Sequence, residues 1–358
     1  MNDLQLFKGN EAVAEAAIRA GCRYFFGYPI TPQNEIPEYL SWRLPEVGGV
    51  FLQAESEVAA INMVYGAAGA GARTMTSSSS PGISLKQEGI SYIAAAELPC
   101  VIVNMVRAGP GLGGIQPAQS DYFQATRGGG HGDYRTVVLG PAGVQEMVDL
   151  TFDAFDIADR YRNPVLVLGD GVMGQMMEPV RFPPMVNVED LPKKEWATTG
   201  RRGRRERNLI KSLYLDPEIL MKHNRKLDEK YRTIREQEVR WERVDADDAE
   251  WLFVAYGTTA RIVRKAIGDM RREGQKVGML RPITLWPFPE KAFDDPEGRV
   301  RGYFVVEMSM GQMVEDVRLS VEGRTPIGFY GIAGGVMPDY RDVRRKMEEF
   351  IQEVGGAQ

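Results

Sequence analysis

Two carboxylates, Glu55 and Glu57, stand at the head of a segment built largely from Ala, Gly and Val, and the next basic residue is Arg73. Such small apolar residues are typical of a buried, closely packed helix. The helix dipole stabilises a carboxylate near a helix N-terminus by about 0.3–1 kcal/mol, which explains an exposed Glu. A partly buried carboxylate instead needs a hydrogen-bonding partner. A heterocyclic nitrogen of a ligand would provide one, so both alternatives stay open.

Two further candidates follow apolar stretches of the sequence. Thr31 lies in "GYPITPQ" between Pro29 and Pro32, and this turn is rigid because proline fixes φ and restricts the residue before it. Thr31 either caps the next helix or faces a ligand. Arg107 ends "PCVIVNMVR", and its planar guanidinium either binds a carboxylate or packs against an acidic loop. The glycine-rich turn that follows, "GPGLGG", matches neither the Walker nor the Rossmann fingerprint.

His131 is one of two histidines and lies in the glycine-rich stretch "RGGGHGDYR". A single His in such a loop is more often structural than catalytic, and we assign it no proton-transfer role. The two cysteines, Cys22 and Cys100, have no ligand spacing. We therefore predict no disulfide framework, zinc site or iron–sulfur cluster in this chain.

Apolar strands alternate with helices over the first half of the chain, which predicts an α/β fold with a parallel sheet covered on both faces. In such a sheet ligands bind outside the carboxyl ends of the strands. Asn10 is the predicted N-cap of the first helix. The predicted strands are 22–30, 48–54, 73–78, 99–107 and 164–170, and the predicted helices are 9–21, 32–44, 83–98, 144–161 and one that begins at Glu57.

Composition divides the chain into three segments, predicted at 1–178, 179–248 and 249–358. The first is the α/β domain just described. The second contains prolines and then many charges, which indicates a connector with an exposed helix at 216–244. The third begins with a strand, a turn and an amphipathic helix, so we expect a second α/β domain there.

The chain has 358 residues, of which 43% are hydrophobic, and a formal net charge of −5. These values are typical of a globular protein with more than one core. No apolar stretch is long enough to cross a bilayer and the N-terminus lacks the pattern of a secretory signal, so a cytoplasmic location is expected. The basic run Gly200–Asn208 is interpreted as a solvated or subunit-contacting linker. Because the chain as a whole is acidic, nucleic-acid binding is the weaker alternative.

Four stretches, in this order, resemble the alpha subunit of the 2-oxoacid:ferredoxin oxidoreductases. These thiamine diphosphate enzymes oxidatively decarboxylate a 2-oxoacid onto coenzyme A, and the pattern is most similar to the branched-chain subfamily that uses 3-methyl-2-oxobutanoate. The resemblance implies a thiamine diphosphate-binding-type parallel-sheet domain, the pyrimidine half, followed by a transketolase C-terminal-like α/β domain. The stretches are "GYPITPQNEIPEYL", "QAESEVAAINMVYGAAGAGARTMTSSSSPGISL", "PCVIVNMVRAGPGLGG" and "GGGHGDY".

The resemblance places Glu57 at the aminopyrimidine ring nitrogen of thiamine diphosphate. There the carboxylate favours the imino tautomer, which removes the proton from the thiazolium carbon, while the cofactor makes the bonds. Counting back from "YGAAGAG" gives Glu57 as the matching residue, and Glu55 is the second choice.

The same resemblance implies that Thr31 and Arg107 hold the carboxylate of the 2-oxoacid. The backbone around Pro29 and Ile30 would line the aminopyrimidine pocket, and Ser80 in the turn "SSSSPG" would line the same cavity. No residue of this chain is expected to bind a metal ion.

The pattern that binds Mg²⁺ in thiamine diphosphate domains is incomplete in this chain. Gly169–Gly171 reads Gly-Asp-Gly, but the expected Asn does not follow, and Asn208 lies too far along. The resemblance therefore implies a beta subunit that holds the diphosphate and Mg²⁺, a ferredoxin-like subunit with [4Fe-4S] clusters, and a gamma subunit. Coenzyme A is the implied co-substrate and ferredoxin the acceptor, in anaerobic metabolism. This polypeptide is expected to be inactive alone and to bind neither nucleic acid nor membranes.

Three alternatives stay open. A 2-oxoglutarate:ferredoxin oxidoreductase subunit shares the same skeleton but needs a second cationic anchor for the distal carboxylate. A non-redox subunit of the transketolase or 2-oxoacid dehydrogenase kind is disfavoured by "YPITP", by "NMVRAGPG" and by the domain order. A non-catalytic structural or nucleic-acid-contacting subunit would use the basic connector, and salt-sensitive nucleic-acid binding would support it.

Overall fold

A computed structural model describes residues 4–201 and 206–356. The basic run Gly200–Asn208 lies partly outside the described residues, at 202–205. Among the described residues the helices are α1 (Gly9–Arg19), α2 (Glu35–Glu46), α3 (Glu57–Gly69), α4 (Ser80–Ala95), α5 (Tyr122–Arg127), α6 (Val144–Tyr161), α7 (Gly171–Gln175), α8 (Pro217–Gln237), α9 (Gly257–Arg272), α10 (Met313–Val321) and α11 (Tyr340–Gly356). The strands are β1 (Gln5–Lys8), β2 (Tyr24–Gly27), β3 (Val50–Gln53), β4 (Thr74–Ser78), β5 (Cys100–Val106), β6 (Val137–Leu139), β7 (Pro164–Asp170), β8 (Met177–Val180), β9 (Trp241–Val244), β10 (Trp251–Val254), β11 (Val277–Pro282), β12 (Thr284–Trp286), β13 (Gly302–Glu307) and β14 (Ile327–Gly331). The α/β fold class is confirmed.

The larger sheet has the strand order β12-β6-β7-β5-β4-β2-β3. Neighbouring strands from β3 to β6 are parallel, and β12 joins the edge antiparallel to β6. Every residue of β5 and β7 is buried, as expected for parallel strands covered on both faces. The carboxyl ends of β2, β3, β4 and β5 therefore meet at one edge of the sheet.

A second sheet has the strand order β14-β13-β10-β11-β9. It is parallel except for β9, which runs antiparallel to β11. β9 lies within the predicted connector 179–248, and β12 of the larger sheet lies within the predicted segment 249–358. Each sheet therefore contains a strand from a neighbouring segment of the sequence. β1 and β8 pair separately as a short antiparallel ribbon.

Asn10 is not the N-cap of α1, and this prediction was wrong. β1 runs directly into α1, so the helix begins one residue before Asn10. The buried Asn10 amide instead donates hydrogen bonds to the Pro32 carbonyl oxygen (2.8 Å) and to the Glu35 carboxylate (2.7 Å). These bonds hold α1 against the turn that contains Thr31.

Arg281 on β11 connects the second sheet to α6, a helix that packs against the larger sheet. Its side chain is 1% exposed. Its two terminal nitrogens donate to the two carboxylate oxygens of Glu146 on α6 (2.9 and 2.6 Å), and Nε donates to Glu242 on β9 (2.6 Å). A planar guanidinium fits this bidentate geometry. The interaction fixes β9 and β11 against α6.

We expect Arg281→Met to lower the free energy of unfolding by about 2 kcal/mol or more, because Glu146 and Glu242 lose a buried cationic partner. Arg345→Met is the matched control, since Arg345 pairs with two carboxylates on the exposed face of α11. Such surface pairs contribute about 1 kcal/mol or less. Chemical denaturation measures both losses, and equal losses would contradict the role given to Arg281.

Candidate active site

The loops singled out from the sequence meet at the carboxyl edge of the larger sheet. β2 lies between β3 and β4, and β4 lies beside β5. The turn at 27–33, the first turns of α3 and α4, and the residue after β5 are therefore neighbours. Open parallel sheets bind their ligands at this edge.

Glu57 is the first residue of α3 and is 6% exposed. The Ser56 hydroxyl caps this helix by accepting a hydrogen bond from the Ala59 amide (3.2 Å), so capping does not require Glu57. Within residues 4–201 and 206–356, the Glu57 carboxylate has no hydrogen bond or ion pair. Glu55 is exposed. Of the two carboxylates, Glu57 is the one that lies inside the site.

Gly82 in the first turn of α4 provides the surface against which Glu57 rests. A Cβ at Gly82 would lie 2.7 Å from Glu57 Oε1 and 2.0 Å from the Ser78 hydroxyl oxygen. Further along, a Cβ at Gly89 would lie 2.5 Å from the Ile61 side chain. Glycine at both positions therefore lets α4 approach α3 closely. The Ser78 hydroxyl is buried and has no hydrogen-bond partner among the described residues.

Arg107 follows β5 and is 8% exposed. Its two terminal nitrogens donate to the carbonyl oxygens of Thr31 (3.0 Å) and Leu112 (3.1 Å). Its Nε is buried without a partner, and no carboxylate of the described residues forms an ion pair with it. Thr31 does not cap α2, which begins at Glu35; its exposed hydroxyl accepts only a long hydrogen bond from Asn34 (3.5 Å). The structure therefore brings Thr31 and Arg107 together.

Ser80 begins α4 beside Arg107 and is connected to two polar residues that sequence reasoning missed. Its amide donates to Asn104 (3.1 Å), its hydroxyl accepts from the Arg107 amide (3.0 Å), and Asn104 donates to Asp121 (2.9 Å). Burial raises the pKa of Asp121, while hydrogen bonds from Ser80 and Asn104 oppose this shift. A polar Asn104 inside the apolar strand β5 was the signal in the sequence that could have identified Asn104 and its partner Asp121.

Some of these residues line a cavity of about 460 Å³, whereas Glu57 and Thr31 are not among its lining residues. Ser80, Arg107 and Asp121 line the cavity from the larger sheet. The lining residues from the second sheet are Met308, Ser309, Met310 and Gln312, which follow β13, and Gly334. Sequence reasoning singled out no lining residue from the second sheet, although "RGYFVVEMS" also marks the end of a strand. The site is thus built by both sheets.

Residues 15–242 match the family described as pyruvate flavodoxin/ferredoxin oxidoreductase, thiamine diphosphate-binding, and residues 249–343 match pyruvate:ferredoxin oxidoreductase core domain II. The chain belongs to this family. The ketoisovalerate oxidoreductase subunit VorB of Methanothermobacter marburgensis is 51% identical, over 98% of this chain and 98% of the relative. The 2-oxoglutarate synthase subunit KorA of Archaeoglobus fulgidus is 41% identical, over 88% of this chain and 91% of the relative. The resemblance to an alpha-type subunit is confirmed.

A solved structure supports the same assignment. It is that of 2-oxoglutarate:ferredoxin oxidoreductase from Magnetococcus marinus with 2-oxoglutarate, coenzyme A and succinyl-CoA bound, and it superposes with a TM-score of 0.87 at 28% identity. The match covers 98% of this chain and 66% of that chain, so the oxidoreductase subunit described here spans about two thirds of that protein's length. The thiamine diphosphate-binding-type fold predicted from the sequence is confirmed.

The residues around Glu57 fit the aminopyrimidine half of thiamine diphosphate. A buried carboxylate without a protein partner suits a ring nitrogen that shares a proton with it. The unpaired Ser78 hydroxyl offers a further polar contact, and glycine at position 82 lets Ser78 and Glu57 lie directly against the first turn of α4. Pro29 is exposed and Ile30 half-buried, in the turn whose backbone was predicted to line this pocket.

The remaining candidates of this oxidoreductase subunit have structural contacts. Asp170 ends β7 and accepts hydrogen bonds from the amides of Val172 (2.9 Å) and Met173 (3.2 Å), so it caps α7. The His131 carbonyl oxygen accepts from the Ser91 hydroxyl (3.3 Å), at the opposite end of α4 from the site. In the part of the chain that the structure describes, no group of three or more His, Cys, Asp or Glu side chains could hold a metal ion.

We expect Gly82→Ala to weaken thiamine diphosphate binding by about tenfold or more, because the new methyl group would displace the Glu57 carboxylate. Gly66→Ala on α3 is the control, since a Cβ there meets nothing within 4 Å. Calorimetric titration of the assembled enzyme with the cofactor measures the affinity, and thermal unfolding verifies the fold. Equal affinity in both variants would show that Glu57 does not depend on this close approach.

Proposed function

We propose that this chain is the alpha-type subunit of an enzyme that oxidatively decarboxylates 3-methyl-2-oxobutanoate onto coenzyme A. The products are acyl-CoA and carbon dioxide, and the electrons pass to ferredoxin. The buried Glu57 carboxylate against Gly82, without a partner among the described residues, carries the proposal. The similarity to a ketoisovalerate oxidoreductase subunit, at 51% identity, supports the branched-chain substrate.

Glu57 shares a proton with a ring nitrogen of the aminopyrimidine in this proposal. Thiamine diphosphate, when bound, supplies the carbanion-stabilising chemistry that the side chains of the protein lack. The Glu57 carboxylate stabilises the protonated ring nitrogen by accepting a hydrogen bond from it. Burial makes the interaction stronger because little water competes for the carboxylate.

Arg107 and Thr31 orient the 2-oxoacid by its carboxylate. The guanidinium of Arg107 is already fixed by the Thr31 and Leu112 carbonyl oxygens, and its Nε is an unused buried donor. A carboxylate balances this charge and accepts hydrogen bonds from the planar guanidinium. The exposed Thr31 hydroxyl is available as a further donor. Ser80 supports the arrangement by binding the Arg107 backbone.

The cavity favours a 2-oxoacid with an apolar side chain. Among its described lining residues Arg107 is the one basic side chain, and Asp121 adds a carboxylate rather than a cation. 2-Oxoglutarate would need a second cationic anchor for its distal carboxylate. The 41% identity to a 2-oxoglutarate synthase subunit keeps that substrate as the second candidate, with the anchor then supplied by a partner subunit.

Partner subunits complete the enzyme in this proposal. The side chains of Leu112 and Met310, near the cavity, are 84% and 81% exposed, and exposed apolar groups of this kind are typical of interaction surfaces. A beta subunit would hold the diphosphate and Mg²⁺, a ferredoxin-like subunit would carry the [4Fe-4S] clusters, and a gamma subunit would complete the assembly.

The cytoplasmic location expected from the sequence stays a prediction. None of the described helices is long and apolar enough to cross a membrane.

The function is tested on the native complex, purified through a tag on this chain. Coenzyme A-dependent reduction of a low-potential dye is measured with 3-methyl-2-oxobutanoate, 2-oxoglutarate and pyruvate in turn. We expect the highest kcat/KM with 3-methyl-2-oxobutanoate. A preference for 2-oxoglutarate would select the second candidate, and a complex with neither thiamine diphosphate nor dye reduction would overturn the proposal.

Glu57→Gln is expected to lower kcat by about 100-fold or more while the complex remains assembled, because an amide cannot stabilise the protonated ring. Glu55→Gln is the matched control, since Glu55 is exposed just before the helix. Steady-state kinetics and size-exclusion chromatography compare the two variants. Wild-type turnover in Glu57→Gln would remove this residue from the mechanism, and a loss confined to Glu55→Gln would transfer the role to the second choice.

Arg107→Ala is expected to raise the KM for the 2-oxoacid by about tenfold or more, because the substrate carboxylate loses a charged donor. Arg107→Lys should recover only part of the affinity, since lysine keeps the charge but not the planar fork. Kinetics are measured together with the melting temperature. A lower melting temperature with an unchanged KM would show that Arg107 is purely structural.

A further inference from the structure

Lys86 on α4 is a fully buried lysine close to the proposed active site. It is 0% exposed, which is rare for a residue with a charged side chain. Its ammonium donates hydrogen bonds to the Thr76 hydroxyl (2.7 Å) and to the Ser77 carbonyl oxygen (2.9 Å), both on β4. These two neutral acceptors do not balance the charge, so the position of the nearest carboxylate matters.

Glu57 is the carboxylate whose charge acts on the Lys86 ammonium. Lys86 follows Gly82 by one helical turn on the same face of α4, and Gly82 is the residue against which the Glu57 carboxylate rests. Long side chains on a helix lean toward its N-terminus, which directs the Lys86 ammonium toward the Gly82 turn. Burial lowers the pKa of Lys86 to about 7, and the charge of Glu57 is the interaction that opposes this shift.

The same lysine lies at the base of the turn that contains Thr31. The Thr76 hydroxyl, which accepts from Lys86, donates to the Phe26 carbonyl oxygen (2.6 Å). The Ser77 hydroxyl donates to the side-chain oxygen of Gln33, whose amide donates to the Tyr28 carbonyl oxygen (3.2 Å). Gln33 is fully buried. Lys86 is thus joined through β4 to both ends of the turn at 27–33.

We propose that Lys86 is a positioning residue of this site, and that its buried ammonium attracts the Glu57 carboxylate and keeps it directed at the cofactor ring. The inference rests on the proposed function and extends it to a residue that touches neither substrate nor cofactor. Lys86 supplies the charge partner that the sequence around Glu57 lacks. Its hydrogen bonds to β4 fix that charge in place.

The expected pH effect has a definite sign. A buried positive charge disfavours a second positive charge nearby, such as that of a protonated pyrimidine ring. With Lys86 in place, the bound cofactor ring therefore releases its proton at a lower pH. Lys86 itself is charged below about pH 7, so its effect is present throughout the acidic range. Removing the charge should move to higher pH the acid limb of the pH profile, where the imino tautomer of the cofactor and kcat/KM decline as the pH falls.

The experiment uses the assembled complex and separates charge from hydrogen bonding. Lys86→Met removes both, Lys86→Gln keeps a hydrogen-bond donor without charge, and Lys86→Arg keeps the charge. Lys230→Met is the matched control, because Lys230 is another largely buried lysine, paired with Glu97, which follows the end of α4 farthest from the site. The first readout is the circular dichroism band of the imino tautomer of bound thiamine diphosphate, followed over pH. The acid limb of kcat/KM and the melting temperature are measured in parallel.

We expect the acid limbs of both readouts to move up by about one pH unit or more in Lys86→Met and Lys86→Gln. Lys86→Arg should stay close to the wild type, and Lys230→Met should change only the melting temperature. Wild-type limbs in Lys86→Met and Lys86→Gln would overturn the proposal, as would a mere loss of stability like that of Lys230→Met. The proposed function is judged separately, by dye reduction and cofactor content of the wild-type complex. If Lys86→Met fails to assemble, Lys86→Gln decides the outcome.

Discussion

The close approach of α4 to α3 is the constraint on which the proposed active site depends. Gly82 and Gly89 place no side-chain atoms between the two helices, so the Glu57 carboxylate reaches the first turn of α4. Ser78 at the end of β4 and Lys86, whose ammonium is hydrogen-bonded to β4, are both fully buried. These groups are held by helices and strands rather than by loops, which favours a fixed geometry for a bound ring.

The second sheet adds a wall to the cavity and holds it in place by buried polar contacts. Gln119 joins the two walls, since its amide donates to the Tyr256 carbonyl oxygen (2.8 Å) and its side-chain oxygen accepts from the Met308 amide (3.0 Å). Glu307, fully buried at the end of β13, accepts hydrogen bonds from amides at the start of α10, including that of Val314 (2.9 Å). The residues that complete the cavity are therefore as firmly positioned as those of the larger sheet.

Local patterns were sufficient to predict the start of α3 at Glu57 and the span of α6, because helical spacing acts over short distances. The alternation of strands and helices likewise predicted the parallel sheet and its ligand edge. Lys86 was not predicted as the charge partner of Glu57, because that proximity depends on how α4 packs against α3. The wall at Met308–Gln312 was missed for the same reason, since it reaches Arg107 only when the two sheets pack together.

A structure of the assembled complex with thiamine diphosphate and Mg²⁺ tests the role of this chain most directly. We expect a carboxylate oxygen of Glu57 within about 2.6–3.2 Å of a ring nitrogen of the aminopyrimidine. The diphosphate and its metal ion should be held by a partner subunit, and the substrate carboxylate should face Arg107. A pyrimidine ring bound away from Glu57, or a diphosphate held by this chain, would contradict the assignment.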